Sequence, residues 1–257
     1  MLCRVNWLLL RGLTRETRHW GTFPETLAAH LPAAKVQCLD LPGVGRERGQ
    51  PAPFTIAATT EDVRQRWLML AAAGGSPARE WGVLGMSLGG MVALDWVSRH
   101  PRDFQRAVLV NTSAGRSCPP LCRLRPHSLR ALVPIVLART PMAREAGVLS
   151  LISARSENRE ARVAEWAAIA EDAPVTARVL ARQLLAAARF RGPPTLGVKV
   201  LFLASQGDRL VNARCSERLA RQYHASLSLH PSAGHDLALD DPGWVGERVA
   251  AWLAKDA

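Results

Sequence analysis

The stretch Trp81 to Trp96, WGVLGMSLGGMVALDW, constrains this chain more than any other. Val83 and Leu84 read as the end of a buried strand. Gly85-Met86-Ser87-Leu88-Gly89 follows as a G-x-S-x-G pentapeptide, and Met91, Val92, Leu94 and Trp96 continue at helical spacing. A strand, a one-residue turn and a helix place the serine at a strained apex with its hydroxyl clear of both elements. Gly85 and Gly89 are required because a Cβ at either would meet the neighbouring element. The Leu88 amide then points at the place where a negative oxygen would form, at the positive end of the new helix.

The remainder of the chain alternates in the same way. Asn6 to Leu10 reads as a strand running into Arg11-Gly12-Leu13. Trp20 to Leu31 reads as a helix, and Lys35 to Leu41 as a strand ending in Asp40-Leu41-Pro42-Gly43-Val44-Gly45. Thr59 to Ala73 is a helix broken by Gly74-Gly75-Ser76-Pro77, and Ala107 to Val110 is the strand after the pentapeptide helix. Val198 to Ala204 and Ala225 to His230 are two further strands, with a helix over Cys215 to Tyr223 between them and a last one capped by Asp240-Asp241-Pro242. Such alternation predicts an α/β fold with a mostly parallel, doubly wound sheet, its site beyond the carboxyl ends of the strands. Between Arg116 and Arg191 the pattern changes to four helices, bounded or kinked by Pro134, Pro141 and Pro174. The expected division is a core over 1–115 and 192–257 with a helical lid inserted over 116–191.

A serine hydroxyl needs a base, and the base needs a group that orients it and balances its charge. Asp208, in Gly207-Asp208-Arg209, and His235, in Gly234-His235-Asp236, each follow a buried strand and come in the order this arrangement requires. His224 and His230 are rival bases, less well placed in their loops. Asp236 is a rival acid, but as the direct neighbour of His235 it is badly placed to reach Nδ1. The Leu13 amide, in the glycine-bearing loop after the first strand, is the candidate second donor beside Leu88.

With these residues in hand, the chain resembles the α/β-hydrolase family along nearly its whole length. The matching pieces are Gly85 to Gly90, Asp40 to Gly45, Gly207-Asp208 and Gly234-His235. The resemblance implies about eight strands, a helical cap after the sixth, and serine hydrolase chemistry at Ser87, Asp208 and His235, with no cofactor or metal. Within the family the chain is similar to small cytoplasmic carboxylesterases, including pimeloyl-carrier-protein methyl esterases. One departure stands out: the family's usual His-Gly at the first loop is Arg11-Gly12 here. Cleavage of a small-molecule ester is the expectation; thioester or carrier-linked ester hydrolysis, and a non-catalytic ligand-binding protein on the same scaffold, are the alternatives.

Composition trims the field. The chain has 257 residues and a formal net charge of +11. The excess of Arg is concentrated in 116–191, where it reads either as an Arg-biased composition with solvated faces or as a surface that steers an anionic substrate or an acidic acyl carrier. No nucleic-acid recognition motif accompanies it. No apolar run reaches the roughly 20 residues of a membrane span, and the apolar stretch Val5 to Leu10 is read as a strand, so the expected location is the cytoplasm. Cys3, Cys38, Cys118, Cys122 and Cys215 are odd in number and scattered, which predicts unpaired thiols and no zinc site.

Overall fold

The computed structural model describes residues 5–31, 34–73, 81–155 and 157–255, apart from the side chains of Ala73 and Leu129. The helix break expected at Gly74 to Pro77, and Cys3, lie outside them.

Six strands form one parallel sheet: β1 (Asn6–Leu10), β2 (Val36–Leu39), β3 (Trp81–Met86), β4 (Arg106–Val110), β5 (Lys199–Ser205) and β6 (Ser226–His230), in the order β2-β1-β3-β4-β5-β6. The mostly parallel sheet is as expected, and the described residues hold six of the roughly eight strands anticipated. β1 and β3 are buried along their whole length, which is why they read as unbroken apolar runs and not as alternating ones.

Period two nevertheless sorts their side chains to two faces. Trp7, Leu9, Leu84, Met86, Val108, Val110, Leu201 and Leu203 pack with α1 (Phe23–His30) and α11 (Pro242–Ala254). Leu8, Leu10, Val83, Ala107, Leu109 and Phe202 pack with α2 (Ile56–Ala73), α3 (Leu88–Arg99) and α9 (Arg214–Gln222). Two turns of four residues, α4 (Pro120–Arg123) and α10 (Leu237–Asp240), complete the set with the helices of the next paragraph. The last helix starts as the sequence suggests: the Asp241 side chain accepts from the Trp244 amide.

Between β4 and β5 the chain is helical: α5 (Pro126–Leu137), α6 (Pro141–Ile152), α7 (Arg159–Asp172) and α8 (Ala177–Arg189) follow α4. Pro134 sits inside α5. α5, α6 and α7 bury Ile135, Leu149, Leu151, Ile152, Val163, Trp166 and Ile169 among themselves, and the cluster rests on Leu210 and Leu239 at the sheet's rim, while α8 packs Val179 and Ala186 into the core of the sheet. Val133, Val136, Leu137 and Met142 face outward, each at least half exposed.

The expectation of unpaired thiols fails at two positions. Cys118, before α4, and Cys215, in α9, form a disulfide with Cα atoms 5.6 Å apart. The pair is 97 residues apart in sequence, so only the folding of α4 against α9 brings it together. Cys38 and Cys122 are free thiols. No helix among the described residues is long and apolar enough to cross a membrane.

Candidate functional site

Ser87 lies between β3 and α3 with φ 55° and ψ −113°, a conformation that a residue with a Cβ adopts at a cost of order 1–3 kcal/mol. Its backbone is pinned to hold that shape. The Ser87 amide donates to the Val110 carbonyl at 2.9 Å, and its own carbonyl accepts from the Met91 amide at 3.1 Å and from Thr112 Oγ1 at 2.8 Å. Close approach explains the flanking glycines. A Cβ on Gly85 would stand 2.3 Å from the Gly89 carbonyl oxygen, and one on Gly89 would stand 2.2 Å from the Leu10 carbonyl oxygen. Flanked by buried Met86 and Leu88, Ser87 is itself partly exposed. Its hydroxyl does not cap the helix it starts.

The Gly12 loop lies directly over this serine. A Cβ on Gly12 would be 3.2 Å from Ser87 Cβ and 3.7 Å from Oγ. The Leu13 amide, next in the chain, and the Leu88 amide, the first of α3, have no acceptor among the described residues. The loop is held from two sides. The Thr14 amide donates to Gln183 Oε1 of α8 at 2.9 Å, and Asp40 Oδ1 accepts from the Thr17 amide at 2.7 Å. Asp40 thus gives the Asp40-to-Gly45 motif a role that its turn chemistry did not disclose. Gln183 is buried, and its Nε2 has no partner among the described residues.

His235 and Asp208 are both buried, and His235 Nδ1 donates to Asp208 Oδ2 at 2.7 Å. The other carboxylate oxygen accepts from the amides of Leu210 and Val211 at 2.7 and 2.9 Å, which fixes the acid's orientation. Burial works against a charged imidazole, but the Asp208 charge and hydrogen bond, with Asp236 beyond them, outweigh it, so the His235 pKa is raised above its ordinary value. His230, one of the rivals, is committed elsewhere: Nδ1 accepts from Ala233 at 2.8 Å and Nε2 contacts Asp241 at 3.1 Å. His224 sits at a left-handed turn position after α9.

Asn111 joins the serine to the histidine. It follows Val110, whose carbonyl receives the Ser87 amide. Its Nδ2 donates to the His235 carbonyl at 2.8 Å while its Oδ1 accepts from the Ser205 amide at 2.9 Å. The φ of 46° at this position suits asparagine, which tolerates the left-handed region. Ser87, Asp208 and His235 therefore stand at the carboxyl ends of β3, β5 and β6, one rim tied through the end of β4. Among the described residues no hydrogen bond joins Ser87 Oγ to the imidazole ring; in unliganded sites such bonds are commonly long.

Two features of the rim escaped sequence reasoning. Arg11 is not a bystander: it forks onto Asp236, with Nη2 to Oδ2 at 2.6 Å and Nη1 to Oδ1 at 3.2 Å. Behind it, Arg15 pairs with Glu145 of α6 at 2.6 Å and contacts His19 Nε2 at 3.0 Å. His19, buried and ringed by Arg15, Arg11 and Arg18, has its pKa driven well below the ordinary value, first by burial and then by those charges. Among the described residues no cluster of three or more His, Cys, Asp or Glu side chains is arranged to hold a metal ion.

Known proteins share this architecture. An esterase from Rhodococcus matches with a TM-score of 0.75 at 20% identity, over 97% of this chain and 90% of that one. A hydrolase from Pseudomonas aeruginosa matches at 0.73 and 22%, over 97% and 90%. A thermophilic esterase from Thermogutta terrifontis matches at 0.71 and 21%, over 98% and 90%. At these identities the likeness is one of fold. The family model described as serine aminopeptidase, S33, matches residues 9–242. Nearly the whole length of the chain is thereby accounted for, and it belongs to that hydrolase family, within the α/β-hydrolase superfamily.

Proposed function

We propose that this protein is a serine hydrolase that cleaves carboxylic esters through an acyl-enzyme on Ser87. The observation that carries the reading is the buried 2.7 Å bond from His235 to Asp208 on the rim that holds the strained Ser87. His235 takes the Ser87 proton as Oγ bonds to the acyl carbon. The Leu88 and Leu13 amides receive the oxyanion, each such donor typically contributing about 2.7–4 kcal/mol. The carbon–oxygen bond to the alcohol then breaks, and His235 returns the proton to it. Water attacks the acyl-enzyme with His235 again as base, freeing the acid and Ser87.

The surroundings favour an ester over a peptide N-terminus. Receiving a free ammonium would call for a spare carboxylate, and the acids beside the loop are taken. Asp236 pairs with Arg11 and Glu145 with Arg15, each at 2.6 Å, while Asp208 holds His235. Hydrolysis of p-nitrophenyl esters of increasing chain length tests the reading. Turnover abolished by Ser87→Ala is expected. Turnover that survives the substitution contradicts it.

A second reading, cleavage of a thioester or of an ester on an acidic carrier protein such as a pimeloyl carrier, has its own support. No acidic residue occurs from 104 to 144, and Arg125, Arg130 and Arg139 have no carboxylate partner among the described residues. Turnover of a carrier-linked substrate should then fall steeply with salt. The non-catalytic alternative is separated by a fluorophosphonate probe: absence of labelling at Ser87 at pH 8 would favour it.

A further inference from the structure

Arg11 directly follows β1, where the family's pattern has a histidine, and its side chain reaches both the His235 loop and the residue before Ser87. Its guanidinium forks onto Asp236, the residue after His235, and both side chains are almost wholly buried, at 2% and 0% exposure. Trp20 covers the guanidinium at 4.6 Å from the ring centroid, and Nη1 lies 3.8 Å from Met86 Sδ, the residue before Ser87. The Arg11 carbonyl oxygen would stand 2.5 Å from a Cβ on Gly89, against the start of the nucleophile's helix. Gly12 and Leu13 follow it directly.

We propose that the Arg11–Asp236 pair is a positioning clamp for the reaction, holding the His235 loop and the Gly12–Leu13 loop in one register about Ser87. The inference rests on the ester-cleaving reading above. A planar fork suits this task better than a single point charge would, because two parallel bonds fix angle as well as distance. Asp236 is itself seated: Oδ1 also accepts from the Leu239 amide at 3.3 Å, so the loop is anchored to α10. The next turn adds to the seat, with Asp240 Oδ2 accepting from the Gly234 amide at 2.6 Å. Arg11 never reaches the reacting atoms in this scheme; it acts through His235 and through the backbone of its own loop.

The clamp also sets the field at the imidazole. His235 faces Asp208 from the loop after β5, Asp236 from its own loop and Arg11 from the loop after β1; behind Arg11 lie Arg15, paired to Glu145, and His19. Asp236 favours the imidazolium and Arg11 opposes it. Neutralising Asp236 alone therefore leaves Arg11 unopposed and makes His235 a weaker base.

The test is the rate of fluorophosphonate labelling at Ser87 between pH 5 and 9, with melting temperature measured alongside. It compares wild type with Asp236→Asn, which keeps the shape, and Arg11→Lys, which keeps the charge. Asp236→Asn is expected to shift the acid midpoint of the rate downward. Both variants should lose on the order of 10- to 100-fold at the plateau, as small misplacements of reacting groups do. Arg11→Lys should hold its midpoint at the wild-type value. Wild-type rates and midpoints in both variants overturn the clamp. So does a loss of rate that only follows a fall in melting temperature with the Asp236→Asn midpoint unmoved. If Asp236→Asn does not fold, Arg11→Lys decides: a wild-type plateau overturns the inference, and a loss of about tenfold or more at unchanged melting temperature upholds it. Wild-type protein that takes no label at Ser87 fails the ester-cleaving reading itself, whereas labelling blocked by Ser87→Ala beside unaltered variants fails only the clamp.

Discussion

The rim of the sheet and the helical segment after β4 handle charge in opposite ways. At the rim the buried charges are matched: Arg11 with Asp236, Arg15 with Glu145, and Asp208 with His235 and two backbone amides. On the helical segment Arg125, Arg130 and Arg139 have no carboxylate partner among the described residues, while Val133, Val136, Leu137 and Met142 are turned outward. A buried unpaired charge costs several kcal/mol, so low dielectric enforces pairing at the rim. Solvent screens the helical surface, and these three arginines are left available to whatever the protein meets. Geometry is fixed where chemistry is proposed, and charge is left open where encounter is proposed.

The sharpest way to break this contrast lies at the rim. Ser87→Ala should lower ester turnover by as much as about 10⁶-fold, since triad members act as a unit. Asp208→Asn, which forces the wrong tautomer on His235, should lower it by about 10⁴-fold. Initial rates on a p-nitrophenyl ester check both; losses below tenfold would remove the rim's special status.

Stability offers the next test. Trp67, fully buried against Trp81, Trp96 and Phe104, should cost about 3–5 kcal/mol as Trp67→Ala in urea unfolding. Arg139→Ser on the exposed helical surface should stay within about 0.5 kcal/mol. Equal effects from the two would contradict the assignment of the packed core.

Acidity separates two buried histidines with opposite signs. His235, its folded pKa raised, adds stability that is present below the unfolded value near 6.5 and is lost as pH rises through the folded value. As the catalytic base it must be unprotonated, so the acid midpoint of turnover should lie above about 6.5. His19 is held neutral, and the unfolded chain binds a proton that the folded chain refuses, so it lowers stability as pH falls below about 6.5. His19→Gln should flatten the part of the melting-temperature profile between pH 7 and 5 that this histidine causes; an unchanged slope would reject the assignment.

The smallest effect belongs to the helical surface. Arg130→Ser with Arg139→Ser should leave turnover of a small ester within about twofold, as rim charges mainly alter encounter. The same pair should reduce the salt sensitivity of turnover on a carrier-linked substrate. Salt-insensitive turnover in the unsubstituted protein would end the carrier reading.

Much of this was legible in the chain because local rules and global fold agree there. The run from Trp81 to Trp96 carries strand, elbow and helix within sixteen residues, each short enough for periodicity and glycine spacing to expose. Asp208 and His235 could be picked out because a buried strand precedes each. The contacts that escaped are long-range and polar. Nothing local in Arg11 announces Asp236, 225 residues away, and Cys118 and Cys215 meet only through packing. The aliphatic residues of the helical segment divide on folding: Leu149, Leu151 and Ile152 are buried in the segment's own cluster, whereas Val133 and Val136 face outward. Helical spacing sets which residues share a face, and only neighbouring helices decide which face is covered.

The central claim is that Ser87 is the nucleophile, with the Leu88 and Leu13 amides aimed at the oxyanion and His235 beside it. A crystal structure of the protein after reaction with a fluorophosphonate tests all three together. The account expects phosphorus bonded to Ser87 Oγ, the phosphoryl oxygen within about 2.7–3.1 Å of both amides, and the imidazole within hydrogen-bond reach. Phosphorus on another residue, or on Ser87 with its oxygen turned away from those amides, would contradict it.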